Sequence, residues 1–375
     1  MEFSLRCTRC GHVPSQTAKQ TVCPKCQGIL FVKLPELDLA KDWIDKSNPT
    51  LWRYAALLPP KPQYRITLGE GFTPILALEK HLLLKDEGRN PTGTFKARGL
   101  ALSISMAKQF GINHVALATA GNAGGAAALY AAAAGITATV YMPESAPRLN
   151  HDEVRISGAE LVLVKGNIAD AGERMKQLLQ ANPEIFSLST MKEPYRVEGK
   201  KTMGYEIWEQ LGRLPDTIIY PTGGGTGLVG IWKAFHELKE LGLVNDIPTR
   251  MIAVQSSGCA PIVKAWRRGD AEAEPWSNPQ TIATGLQVPH AFGDYLILRV
   301  LRESKGAAVE VPDTAIKQAM QDLGRAGIMA CPEGAATLAG YQRLLRNGTI
   351  SADEETLLIM TGSGYKYPSI ELKHS

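Results

Sequence analysis

This sequence predicts an α/β fold with mostly parallel sheets, and three observations carry that prediction. Short apolar, often β-branched runs alternate with helical stretches from His81 through Met360. Several runs stop on small residues and pass at once into a helix. Val115–Thr119 leads into Ala120-Gly-Asn-Ala-Gly-Gly125, and Thr217–Tyr220 into Pro221-Thr-Gly-Gly-Gly-Thr-Gly227. No internal repeat of roughly 20–50 residues competes with this reading. Alternating strands and helices over such a length form a parallel sheet covered by helices, with ligands at the carboxyl ends of the strands.

The remaining strands follow the same rule: Ala138–Met142, Glu160–Val164, Phe186–Ser189, Met251–Gln255, Ala307–Val311 and Leu357–Met360. Helices are predicted over Gly99–Phe110, after Gly125, over Ala169–Gln180 and from Glu193 through Leu211. Leu34–Tyr64, rich in Pro, Leu and Trp, reads as a connecting segment with a short helix about Trp43–Trp52.

At 375 residues the chain can form two domains and a small appendage. Hydrophobic content of 44% and charged content of 21% describe an ordinary globular protein. A net charge of +4 is too mild to argue for nucleic acid. The start, MEFSLRC, has no apolar run of signal-peptide length, so a cytoplasmic protein with reduced thiols is expected. Val115–Pro143 carries no charge, but Gly121, Asn122, Gly124, Gly125 and Gly135 divide it into strand, turn, helix and strand rather than a membrane span.

Four of the six cysteines fall early, as Cys7-x-x-Cys10 and Cys23-x-x-Cys26. Two such knuckles give four thiolates able to converge tetrahedrally on zinc. A redox pair would sit at a strand–helix junction, for which this segment has no pattern. A ribbon without metal is the other alternative. Arg6, Arg9, Lys19 and Lys25 are the basic residues about the knuckles and no aromatic lies between them, so the segment reads as a brace rather than a nucleic-acid binder. Cys259 and Cys331 read as small core residues.

Between Lys85 and Gly99 a polar loop, broken by Asn90-Pro91 and Gly93, leads to Lys96, which is flanked by Phe95 and Ala97. An amine in small, apolar company loses its proton more easily, as a Schiff-base lysine requires. Alone, it would read as a solvated charge. The turn at Gly121–Gly125 either offers N–H groups to an anion or packs tightly and nothing more. Gly225-Thr-Gly-Leu-Val-Gly230 satisfies a dinucleotide fingerprint, yet the next strand ends in Val254-Gln255-Ser256 with no acid for the ribose. No Gly-Lys-Ser/Thr is present for a triphosphate. A phosphate monoester needs only the N–H groups of Gly223–Gly227, the Thr226 hydroxyl and a helix N-terminus. One phosphate and a distant lysine point to pyridoxal phosphate.

Pro91-Thr-Gly-Thr-Phe-Lys96, Thr119-Ala-Gly-Asn122-Ala-Gly, Gly223-Gly-Gly-Thr-Gly227 and Thr361-Gly-Ser-Gly364, in this order, resemble the motifs of fold type II pyridoxal-phosphate enzymes over about residues 65–368. Within that family the chain is most similar to threonine synthases. Gly69–Pro74, Lys85–Gly93, Glu193–Thr202 and the cysteine ribbon carry this closer likeness.

The resemblance implies two mostly parallel three-layer α/β domains of the tryptophan synthase β-like kind, behind a zinc-ribbon-like segment. The ribbon would span residues 1–35, a large domain 36–94 with 183–375, and a smaller mobile domain 95–182. It implies a homodimer in which Lys96 holds the cofactor and moves protons. Asn122 would bond the ring hydroxyl, and Gly223, Gly224, Gly225, Thr226 and Gly227 the phosphate. Thr361, or Ser363 in its place, would meet the pyridine nitrogen. A hydroxyl there suits elimination and replacement over transamination. Thr119, Ala120, Gly121 and Arg196 would bind the substrate. Cys7, Cys10, Cys23 and Cys26 would hold zinc. Glu333 would lie near the cofactor or cap the helix after it.

The implied reaction turns O-phospho-L-homoserine and water into L-threonine and phosphate. Four features depart from the threonine synthase pattern: Ala97 in place of an acid, glycine and threonine in the phosphate loop, Glu193 beside the anion site and Ser363 in place of a histidine. They keep β-elimination or β-replacement on serine, threonine or a related amino acid open. A ribbon-bearing nucleic-acid or nucleotide binder without catalysis is the reading from another class.

Overall fold

Strands and helices form where the apolar runs and glycine turns predict them. The structure, a computed structural model, describes residues 3–15, 19–35, 43–367 and 370. Residues 36–42, early in the expected connecting segment, lie outside these. An antiparallel ribbon of β1 (Ser4–Cys7) and β2 (Leu30–Lys33) comes first, and a 3-10 helix spans Leu51–Leu57. Next come β3 (Ile75–Glu79), β4 (Leu82–Asp86), α1 (Lys96–Gln109), β5 (His114–Ala118) and α2 (Ala123–Ala134). The chain continues through β6 (Thr137–Pro143), α3 (Arg148–Ile156), β7 (Glu160–Val164), α4 (Ile168–Ala181), β8 (Phe186–Ser187) and α5 (Tyr195–Leu211). It then alternates β9 (Thr217–Pro221), α6 (Thr226–Glu240), β10 (Arg250–Ser256), α7 (Pro261–Arg268) and α8 (Asp294–Glu303). It closes with β11 (Ala307–Val311), α9 (Asp313–Arg325), α10 (Pro332–Arg346) and β12 (Thr356–Met360). Among the described residues no helix is long and apolar enough to cross a membrane.

Two local expectations change. Lys96 opens α1 instead of preceding a helix that starts at Gly99. Residues 43–50 are not helical, because the Asp45 and Asn48 side chains take the N–H groups of Ser47 and Thr50 and close turns instead. The helix begins only where the Thr50 hydroxyl caps it by accepting from Trp52 N at 3.2 Å.

The chain folds as two compact units, Met1–Gly71 with Lys96–Thr202 and Phe72–Phe95 with Met203–Ser375. These bounds differ from those of the expected domains. In the first unit Leu51 and Trp52 share one apolar cluster with Leu100 and Ile104 of α1 and Leu5 and Leu30 of the ribbon, so the connecting segment belongs here. β8 pairs with β5 in a fully parallel sheet of order β7-β6-β5-β8, which draws in the segment after residue 183 as well.

The second unit holds a sheet of order β11-β10-β9-β12-β4-β3, parallel except for β3, which runs antiparallel on the edge. β9 and β12 at its centre are buried along their whole length, as a strand covered on both faces must be. An ion pair without solvent exposure links β4 to the second half of α5, Lys85 Nζ to Glu206 Oε2 at 3.0 Å. Lys85 also donates to the Thr73 carbonyl at 2.7 Å and to Gln210 at 3.0 Å, and Glu206 accepts from Phe72 N at 2.7 Å. Lys85→Met strands Glu206 and should cost about 3–5 kcal/mol in urea unfolding, with most of it recovered in Lys85→Met/Glu206→Leu. A single-variant loss below about 1 kcal/mol would mean that the pair behaves as a solvated one.

Candidate active site

The neighbours β9, β12 and β4 are parallel, so their carboxyl ends share one edge of the sheet in the second unit. Three loops leave that edge: Thr222–Gly225, Thr361–Ser363 and Glu87–Phe95. Backbone bonds tie the last two together. Phe95 N donates to the Thr361 carbonyl at 2.9 Å, Ser363 N donates to the Gly93 carbonyl at 2.8 Å, and Thr94 bridges Gly362. Asn90 and Thr73 both donate to the buried Glu87 carboxylate, which stiffens the loop from behind. The backbone is thereby held up to the residue before Lys96.

After β9 the chain makes a cradle of backbone N–H groups. Gly225 adopts φ +74°, a left-handed conformation, and opens α6 without a side-chain cap. A Cβ at Gly223 would meet the Gly285 carbonyl, and one at Gly227 would meet the Tyr220 hydroxyl. Phe95 stands edge-on to the Tyr220 ring, 6.2 Å between centroids. Among the described residues no protein acceptor takes the N–H groups of Gly223–Gly227. With the positive end of α6 behind them, these donors fit a phosphate monoester. Gln255 locks the entrance: its Nε2 donates to the Thr222 carbonyl at 3.0 Å, while its Oε1 accepts from Ile262 N and Val263 N.

Of the two hydroxyls after β12, Thr361 is buried, 3.9 Å from Cys331 Sγ, whereas Ser363 accepts from Tyr365 N and starts a 3-10 turn. Glu333 is not the cap of α10; Cys331 is, its thiol accepting from Gly334 N at 3.2 Å. Burial, and then the neighbouring Glu333, push the Cys331 thiol well above its usual range. Glu333 Oε1 accepts from Gly285 N at 2.6 Å, so it supports the segment that backs Gly223, and its Oε2 is buried without a partner.

In the first unit Lys96 is half-buried, and the first turn of α1 contains no acid. Thr119 follows β5, and its hydroxyl accepts from Gly121 N at 3.2 Å. Asn122 opens α2 without a capping bond. Tight packing accounts for Gly124 and Gly125, which lie against Met142 and Glu153, but not for Gly121, whose Cβ would find nothing nearer than Asn150 Nδ2 at 3.7 Å. Packing thus accounts for two of the glycines of this turn, and the Gly121 N–H is taken by Thr119.

Glu193 does not oppose an anion site. Its buried carboxylate accepts from Tyr195 N at 2.7 Å, Arg196 N at 3.0 Å and Ser103 Oγ at 2.9 Å, which caps α5. Burial raises it to about 7, with Arg196 and these donors working the other way. Arg196 is buried too; its Nη1 donates to the Leu188 carbonyl at 2.8 Å and the Thr190 hydroxyl at 3.0 Å, and its Nε has no partner.

The sulfurs of Cys7, Cys10, Cys23 and Cys26 lie within 4.8 Å of one another, with Cys7–Cys26 and Cys10–Cys26 both at 3.4 Å. The residues after each knuckle, Gly11 and Gln27, have positive φ and donate back to the carbonyls of Cys7 and Cys23. A tetrahedron with metal–sulfur bonds of about 2.3 Å needs sulfurs about 3.8 Å apart, so the set fits a soft divalent ion.

Gln255 and Tyr220 carry no motif and were not predicted as site residues; their part depends on chain segments brought together by the sheet. Gly227→Ala and Gln255→Glu should each weaken pyridoxal phosphate binding by about tenfold or more, measured by equilibrium dialysis, because one drives a methyl into the Tyr220 hydroxyl and displaces the cradle backbone, and the other sets a carboxylate against the Thr222 carbonyl. Unchanged binding in both would contradict the cradle.

A family model describing pyridoxal-phosphate dependent enzymes matches residues 66–362. The chain is 35% identical to the threonine synthase of Methanosarcina acetivorans, over 98% of this chain and 93% of that one. It is 33% identical to the threonine synthase of Methanocaldococcus jannaschii, over 99% and 94%. The fold is similar to that of maize serine racemase (TM-score 0.67, 24% identity, 78% of this chain and 88% of that one). It is also similar to that of the processed threonine deaminase isoform 2 from Solanum lycopersicum (TM-score 0.67, 22% identity, 84% and 89%). A parallel α/β architecture, a glycine cradle after a central strand and a match over most of the length agree: the chain belongs to the pyridoxal-phosphate-dependent enzymes.

Proposed function

We propose that this enzyme is a threonine synthase, a lyase that converts O-phospho-L-homoserine and water to L-threonine and phosphate. The observation that carries the reading is the end-to-end match to relatives named threonine synthase, which extends through the cysteine ribbon. Pyridoxal phosphate, when bound, supplies an electron sink for negative charge at the substrate Cα.

The chain's residues are assigned as follows. Lys96 Nζ would hold the cofactor covalently and, as a free amine, would take the substrate Cα proton. Asn122 would bond the ring hydroxyl, and the N–H groups of Gly223–Gly227 with the Thr226 hydroxyl would hold the phosphate. Thr361 is the neutral partner of the pyridine nitrogen, in preference to Ser363, whose hydroxyl is used in its own turn. Thr119, Ala120 and Gly121 bind the substrate carboxylate.

Arg196 binds the departing phosphate, helped by a Glu193 carboxylate already taken up by the start of α5. Phosphate leaves Cγ with the C–O electron pair after a proton is lost from Cβ. The oxygen of water then adds at Cβ, and protons return to Cα and Cγ. Water must therefore be admitted after the phosphate departs, not before.

The four cysteine sulfurs are assigned a structural zinc, since four thiolates complete its shell and leave no open position for a substrate. A cytoplasmic homodimer is the form the family likeness supports, and sedimentation of the full chain tests it. Release of inorganic phosphate from O-phospho-L-homoserine should exceed keto-acid release from threonine or serine by about a hundredfold or more in kcat/KM. The reverse ratio would replace this reading with β-elimination on the unphosphorylated amino acid, the chemistry that Ala97 keeps open.

A further inference from the structure

We infer that Tyr195 is a positioning residue through which the cysteine ribbon sets the start of α5, and with it Arg196; the functional side of this rests on the anion-binding role proposed for Arg196. Tyr195 has no exposed surface and belongs to the apolar cluster that holds the ribbon residues Leu5 and Leu30. Phe3, next to β1, stands edge-on to its ring at 6.1 Å and 89°. Phe110, just past α1, meets it at 5.8 Å and 54°. The ring is thus fixed by the ribbon and by the helix that Lys96 opens.

Its backbone is fixed to the anion-site segment. Tyr195 N and Arg196 N share the Glu193 carboxylate, and Ser103 of α1 donates to the same carboxylate. A displaced Tyr195 would carry Arg196 away from the Leu188 carbonyl and the Thr190 hydroxyl. The neighbourhood leaves little slack: a Cβ on Gly99 would stand 3.1 Å from the Arg196 carbonyl, and one on Gly199 would run into the Arg98 carbonyl. Close-packed contacts of this kind transmit a shift instead of absorbing it.

The ribbon itself has two strands of four residues and cannot bury enough surface to stand alone. Two things hold it: the apolar cluster that takes Leu5 and Leu30, and the thiol cluster with the structural zinc proposed above. Integrity of the cluster and the geometry of Arg196 become linked through one aromatic ring.

Hydrogen exchange of the full-length protein tests this, read on peptides covering residues 189–198 in wild type, Phe3→Ala and Phe3→Leu, and in wild type stripped with a zinc chelator. The amides of Tyr195 and Arg196 should exchange about tenfold faster in Phe3→Ala and in the stripped protein, with Phe3→Leu between. The Kd for inorganic phosphate and the KM for phosphorylated substrate should rise in parallel, with kcat within about twofold. Acceleration confined to residues 3–33 would overturn the coupling and leave the ribbon a local brace. Faster exchange at 195–196 with unchanged phosphate affinity would keep the coupling and remove the anion role of Arg196.

Discussion

The hydrogen bonds that join Gly93–Phe95 to Thr361–Ser363 are the constraint on which the rest depends. They exist because β4 and β12 lie side by side and parallel, so that the loops leaving their carboxyl ends must meet. Two segments far apart in sequence are thereby locked backbone to backbone. One continues directly into Lys96 and the other carries Thr361. The glycine cradle follows from the next strand over, since β9 pairs with β12 in the same direction. Nothing in this arrangement requires a special loop conformation beyond the glycines already present.

Buried charge has a positional part to play here. Lys85–Glu206 in the second unit and Glu198–Lys201 at 2.7 Å in the first are both shut off from solvent. Such pairs add little net stability over apolar residues of the same size, because each charge has lost its hydration. What they provide is a fixed distance. Lys85 grips the Thr73 carbonyl and Glu206 the Phe72 amide, which fixes the turn ahead of β3, while Glu87 secures Asn90. In the first unit Glu193 does comparable service, and its proton affinity near neutrality records the burial it endures to cap α5.

Much of this was legible in the sequence, for a physical reason. A backbone that must approach a ligand or adopt positive φ is written as glycine, so the cradle at Gly223–Gly227 and the turn at Gly93 could be read directly. Central strands buried on both faces appear as unbroken apolar runs, as β9 and β12 do. The paired spacing of the four clustered cysteines is local as well. What was not legible depends on contacts between distant segments. Gln255 stood out only as the missing acid of another motif, although its amide clamps Thr222. Glu193 looked like a repulsive charge until the N–H groups of Tyr195 and Arg196 were seen to take it up. Leu51 and Trp52 pack with α1 and the ribbon, a preference no local pattern encodes.

The central claim is that one amine, at the start of α1, carries the cofactor. Borohydride treatment of the holoenzyme followed by peptide mapping tests it most directly, because reduction makes the lysine attachment permanent. The account predicts a pyridoxyl group on Lys96 alone, in a peptide beginning within the Asn90–Phe95 loop. A label on Lys85, Lys200 or Lys201 instead, or none on Lys96, would contradict it.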